Sequence, residues 1–218
     1  MLDLILFNLL VFTIVPMVSI RNSARGMRSG RYRAIRCVEI RDKIISIVLH
    51  QRFLELNQFS FDDSLRYQNI EAGAWEQSNI STIQRQYIFM TSPKSASLKI
   101  FEFVTLFGDD VSLTTTASAS AFLFPRPPGA FIQSMKTNDV EILWKYHLEG
   151  ENFLLNEHGV KKVPITDDND MEYRLNEWIQ RQGKYICKTP FFWLRAPYWF
   201  YIRRYIMQGV SVKAQFSR

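Results

Sequence analysis

The first twenty residues, MLDLILFNLLVFTIVPMVSI, are apolar on every side and carry a single charge, Asp3. At ~1.5 Å per residue, Leu4 to Ile20 gives about 25 Å of helix, slightly short of a ~30 Å hydrocarbon core. Flanking aliphatic atoms or local bilayer thinning make up the difference. The run therefore predicts a membrane anchor over residues 1–20, with Pro16 tolerated as it is in membrane helices. A cleaved signal peptide starts with positive charge and ends in small residues, and this segment does neither. A buried soluble helix is the other alternative, but nearly all-round hydrophobicity over this length is unusual at a chain terminus, and a transit peptide carries arginine within its run.

Past the anchor the pattern changes repeatedly. Residues 21–33, rich in Arg, Ser and Gly, read as a juxtamembrane linker. Ile40, Ile44, Ile47, Val48 and Phe53 recur at helical spacing and predict a helix over 34–57. Residues 58–82 are polar and weakly patterned, and their tail, QSNIST, reads as a loop. From Gln84 the β signals begin. RQYIFMT predicts a strand, and SLKIFEFVTLF, the turn Gly108-Asp109-Asp110 and VSLTTTA predict a hairpin. FPRPPG at 124–129 closes the β region, and a short strand follows at Phe131–Met135.

Asn138 or Asp139 then caps a helix whose apolar stripe includes Val140, Leu143, Trp144, His147, Leu148 and Leu155, stopped by Gly159. A further helix follows Asp167, Asp168 and Asp170, with Gly183 read as its C-cap. The tail from residue 190 mixes Phe, Trp and Tyr with arginine and is broken by Pro190 and Pro197. Such a mixture suits either a membrane interface or core packing.

These elements imply an α+β fold. An N-terminal transmembrane helix precedes a small antiparallel sheet at about 84–135, packed by about three helices, with an aromatic-basic C-terminal segment. The division is anchor 1–20, linker 21–33, α+β domain 34–189 and interfacial tail 190–218.

Charge sharpens the topology. Residues 21–52 hold nine Lys/Arg against two acids, and 184–218 hold seven with no acid. The body between them, 53–183, carries 11 basic and 18 acidic residues, so a net charge of +6 conceals a basic, acidic, basic order. Arg21, Arg25, Arg28, Arg31, Arg33 and Arg36 directly follow the anchor. The positive-inside rule then places the N-terminus outside and the main domain in the cytoplasm. On that topology the sequon at Asn79 stays unmodified. These arginines, with Arg203 and Arg204, are the candidate contacts to anionic headgroups. Trp193, Tyr198, Trp199 and Tyr201 are the candidate interfacial aromatics.

No catalytic motif outweighs a structural reading. His147 and Glu151 share a helix face with His158, but His158 lies about 16 Å along the axis from His147, too far for one ion; His50 stands elsewhere. No metal and no cofactor are expected. Asp109 and Asp110 suit a tight turn, and the 167–170 aspartates suit a helix start rather than a calcium loop. Ser112, Thr114–Thr116, Ser118 and Ser120 lack a nucleophile motif. Cys37 and Cys187 read as unpaired thiols, with Lys188 beside the latter. Phosphate-binding loops and nucleic-acid modules are not found, so nucleic acid is not an expected partner.

The order of anchor, Arg-rich stretch, helix, hairpin ending in Leu113-Thr114-Thr115-Thr116, Pro-rich loop and Leu143-Trp144-Lys145-Tyr146-His147 resembles uncharacterised membrane-anchored bacterial proteins. That likeness implies no activity. The leading reading is a membrane-anchored, non-enzymatic protein whose basic flanks contact headgroups and whose acidic body docks a protein partner. The alternatives are a membrane-bound enzyme with a pocket between sheet and helix, and a nucleic-acid binder acting through the basic flanks.

Overall fold

The computed structural model describes residues 2–36, 56, 59–69, 73–82, 86–92, 100–137, 139–161 and 170–217. Side chains are described at 8–31, 56, 102–119, 121–137, 139–161, 173–174 and 176–217. The fold is mixed α+β. Helix α1 (Leu2–Arg28) leads into a seven-stranded sheet in sequential order. Its strands are β1 (Tyr32–Arg36), β2 (Phe59–Asn69), β3 (Gly73–Thr82), β4 (Gln86–Ser92), β5 (Ile100–Leu106), β6 (Ser112–Thr116) and β7 (Ala130–Ser134). Helices α2 (Val140–Glu157) and α3 (Asp170–Lys188), an irregular helical tail over 192–207 and a short C-terminal helix (Val212–Phe216) follow.

Several expectations need correcting. Helix α1 continues through Arg21, Arg25 and Arg28, so most of the presumed linker is helical. Residues 34–36 belong to β1 rather than to a helix, and 37–55, with Cys37 and His50, lie outside the described residues. Within the polar stretch, residues 59–69 and 73–82 form β2 and β3, which pair antiparallel with a bulge between Phe61 and Asp63. The sheet therefore begins at Tyr32, far before residue 84. It is not wholly antiparallel either, because β6 and β7 run parallel.

The β5–β6 hairpin forms where its pattern places it. Asp109 and Asp110 adopt φ of 55° and 62°, and the Val111 amide donates to the Gly108 carbonyl at 3.2 Å. Two consecutive left-handed residues match the right-handed twist of the strands, and aspartate tolerates that geometry. At the start of α2, Asp139 Oδ1 accepts from the amides of Glu141 (2.9 Å) and Ile142 (3.2 Å). These are donors that the first helical turn otherwise leaves unsatisfied.

Both faces of β5–β7 are covered, which is why β6 is buried throughout. On one face Leu113 packs with Phe107, Leu154 and Val212. A second core joins α1, α3 and the tail through Ile20, Ala24, Met27, Ile179, Ile186, Phe192, Ala196 and Trp199. Gly183, expected to cap α3, lies inside it. A Cβ there would sit 2.4 Å from the backbone nitrogen of Arg28, so this glycine marks where α1 and α3 touch backbone to backbone.

Candidate functional site

Helix α1 has two unlike faces. Pro16, Ile20, Ala24 and Met27 are buried, and Thr13 and Met17 are half-buried, a stripe at three- and four-residue spacing turned toward α3 and the tail. The opposite face holds Val11, Ile14, Val15 and Val18, all exposed. Toward its N-terminal end the helix is exposed all round: Leu9, Leu10, Val11 and Phe12 are 37–64% accessible at successive positions about 100° apart.

The tail extends this apolar surface. It runs antiparallel to α1, from Phe192 beside Arg25 and Arg28 to Tyr201, whose ring meets Phe12 edge-on at 5.7 Å between centroids. A π-helical turn spans Trp199–Arg203. Trp199 points into the core, whereas Leu194, Tyr198, Tyr201, Ile202, Tyr205 and Ile206 are exposed. Of the four expected interfacial aromatics, Tyr198 and Tyr201 lie on the surface. Trp193 is half-buried against the second core, and Trp199 is a core residue.

The arginines divide in the same way. Arg21, Arg25, Arg28 and Arg31 are exposed along the end of α1 and the turn after it. Arg25 and Arg28 line a cleft of about 640 Å³ with Asn22, Ser29, Arg31, Cys187 and Phe192. Arg33 and Arg36 lie on β1, and their side chains are outside those described. Arg203 faces inward, donating through one guanidinium nitrogen to the carbonyls of Phe122 and Phe124 at 3.3 Å each. These bonds brace the backbone around Phe122 and Phe124. The Arg204 guanidinium lies 4.6 Å over the Tyr205 ring and donates to its hydroxyl.

Behind the tail stands a charged group that the sequence did not reveal. Glu102 on β5 is held above the usual carboxylate range by burial, partly offset by the charge of Arg126 and a hydrogen bond with Thr116. Arg126 is pulled down to about 10 by burial and, more weakly, by Arg203, while Glu102 opposes the shift. Arg126 donates to Gln182 Oε1 at 2.9 Å and lies 4.7 Å over the Trp178 ring. These contacts tie the Pro-rich loop to α3. Burial also lowers Arg203.

His147 has no access to solvent. Its Nε2 lies 2.9 Å from Thr105 Oγ1 and its Nδ1 lies 2.8 Å from Thr115 Oγ1. Gln133 Nε2 donates to Thr115 Oγ1 and to the Tyr146 carbonyl, while Gln133 Oε1 accepts from the Val212 amide. Both imidazole nitrogens are thus engaged inside a closed polar seam joining α2 to the sheet. His158 lies apart, at the C-cap of α2, stacked on Phe216 at 4.1 Å.

Among the described residues, no group of three or more His, Cys, Asp and Glu side chains converges on a metal-sized site. The other large cleft, about 680 Å³, lies between α3 and the β5–β6 turn. Arg181 reaches across it to the Asp110 carbonyl (2.7 Å) and the Pro128 carbonyl (2.9 Å).

No helix among the described residues is long and apolar enough to cross a membrane. The transmembrane anchor expected over 1–20 is therefore unsupported. The described side chains of α1 begin at residue 8, and one face of the helix from Thr13 onward packs on the protein itself. The chain matches no family model, no curated protein and no solved structure.

Proposed function

We propose that this is a membrane-associated, non-enzymatic protein. It rests on an anionic bilayer through the outward face of α1 and the aromatic tail, and presents its acidic body to a protein partner. One observation carries the reading: exposed apolar side chains from two distant parts of the chain meet at Phe12 and Tyr201 to form one surface. Single exposed apolar residues are ordinary, but a contiguous patch marks an interaction site.

Lipid suits this patch better than a protein partner does. Leu9 to Phe12 are exposed around the helix, and a fluid of acyl chains can surround a helix where a protein partner covers one side. Tyrosines beside arginines suit the boundary between hydrocarbon and headgroups. The arginines at the end of α1 favour the negatively charged cytoplasmic leaflet, at roughly 1 kcal/mol for each basic residue near the surface. The acidic excess of 53–183 keeps the body away from that leaflet and free to dock a partner.

Flotation of the full chain with vesicles tests this reading. The chain should rise with anionic vesicles and stay with them through a high-salt wash. Ile14→Asp/Val15→Asp, which alters exposed positions only, should stay at the bottom of the gradient. Equal flotation of the two proteins would overturn the proposal.

A further inference from the structure

We infer that Phe191 is a membrane anchor, its ring held away from the protein to enter the acyl-chain region of the bilayer. This inference rests on the membrane reading above. Phe191 is the third residue of the turn that joins α3 to the tail, which the Phe192 amide closes by donating to the Thr189 carbonyl at 3.2 Å. Its backbone is left-handed, with φ 49° and ψ 32°. With proline at its second position and a left-handed third residue, such a turn ordinarily takes glycine or asparagine at the third. Asp109 and Asp110, the other described non-glycine residues with positive φ, are of a type that tolerates this region. A bulky apolar residue is not, so the backbone by itself selects against phenylalanine here.

Packing within the fold does not compensate. Phe191 is 68% accessible, and among the described large apolar side chains only Leu56 is more exposed. Its ring meets that of Trp193 edge-on at 6.3 Å between centroids, a contact that leaves most of the ring in water. Left-handed strain of this kind collects at binding sites. The neighbouring surface indicates what is bound. Leu194, Tyr198, Tyr201 and Tyr205, all exposed, follow Phe191 at intervals of three and four residues, so the ring heads the apolar stripe of the tail. That stripe is the part of the proposed bilayer surface that meets α1 at Phe12 and Tyr201. The tyrosines carry hydroxyls suited to the headgroup boundary, whereas the phenylalanine ring has no polar atom and suits the acyl chains.

Two variants of the full chain separate an anchor from a structural residue. Phe191→Gly relieves the backbone and removes the ring, and Phe191→Trp keeps a large apolar ring. Urea unfolding of the free proteins is read beside their binding to phosphatidylcholine–phosphatidylserine vesicles. Phe191→Gly should unfold at the same urea concentration as the wild type or a higher one, yet bind the vesicles roughly ten-fold more weakly. Phe191→Trp should bind as the wild type does, with fluorescence quenched by brominated acyl chains more strongly than that of the wild type. A lower urea midpoint for Phe191→Gly would show that the ring serves the fold and would overturn the anchor. If Phe191→Gly binds vesicles as tightly as the wild type while Ile14→Asp/Val15→Asp does not bind, the membrane reading stands and the anchor is overturned. If the wild type itself binds no vesicle, the membrane reading fails and the anchor falls with it.

Discussion

Replacing Gly183 with alanine tests whether α1 is fastened to the body as described. In an isolated helix this change stabilises by about 1 kcal/mol, because glycine is the poorer helix former. In this fold the new Cβ would lie 2.4 Å from the Arg28 nitrogen, 2.7 Å from Met27 Cβ and 2.8 Å from the Met27 carbonyl carbon. Ordinary contact begins near 3.4 Å, so α1 and α3 must part by about 1 Å. Two of the three obstructing atoms are backbone and cannot rotate away. Overpacking of this kind costs about 1–3 kcal/mol. Against rigid backbone the upper end applies, and subtracting the propensity gain leaves a net loss of about 2 kcal/mol. Urea unfolding followed by tryptophan fluorescence reads this directly, since Trp178, Trp193 and Trp199 belong to or border the second core. Gly150→Ala, whose Cβ would meet only side-chain atoms at 3.0–3.1 Å, should shift the midpoint less. A Gly183→Ala protein as stable as the wild type, or more so, would refute the helix crossing.

The polar interior yields further expectations. His147→Leu strands the buried Thr105 hydroxyl, while Thr115 Oγ1 keeps its bond from Gln133 Nε2; a loss of about 1–3 kcal/mol is expected in the same unfolding assay. Loss below 1 kcal/mol would show that the seam is wet or rearranged. Glu102 gives a pH dependence. Its pKa is raised in the folded protein, so the folded state binds the proton more tightly than the unfolded chain. Stability should therefore be full below the ordinary glutamate value of about 4.3 and fall as pH rises through the interval up to the folded pKa. The difference between wild type and Glu102→Gln, measured by urea midpoints across that interval, should show this slope; parallel curves would remove Glu102 as its source.

The sequence reveals those parts of the fold whose determinants are local. Asp109 and Asp110 specify a turn by their tolerance of left-handed geometry, and Asp139 specifies a helix start by its carboxylate. Gly183 misleads because a glycine after an apolar stripe looks like a cap, while its actual role depends on Met27 and Arg28, far away in sequence. Strands β2 and β3 escape notice because FSFDDSLRYQN and GAWEQSNIST lack sustained alternation. The parallel pairing of β7 is hidden because its connection from β6, residues 117–129, holds only a short 3-10 turn and prolines in place of a crossover helix.

The surface proposed to meet the membrane is half legible for the same reason. Apolar composition marks residues 1–20 and the tail. It cannot show that Ile20 and Trp199 turn inward while Val15 and Tyr198 turn out, since that choice is made by packing against α3. Nor does an arginine declare its direction. Arg203 and Arg204 are neighbours, yet Arg203 braces two backbone carbonyls and Arg204 lies on a tyrosine ring.

Nitroxide accessibility on vesicle-bound protein tests the central claim most directly. Labels would be placed singly at Val15 on the outward face of α1, at Tyr205 on the tail and at Lys145 on exposed α2, in a background lacking Cys37 and Cys187. With anionic vesicles, Val15 and Tyr205 should become accessible to oxygen and shielded from a water-soluble relaxation agent, while Lys145 remains in water. If Val15 and Tyr205 stay as aqueous as Lys145, lipid does not cover this surface, and the membrane reading is contradicted.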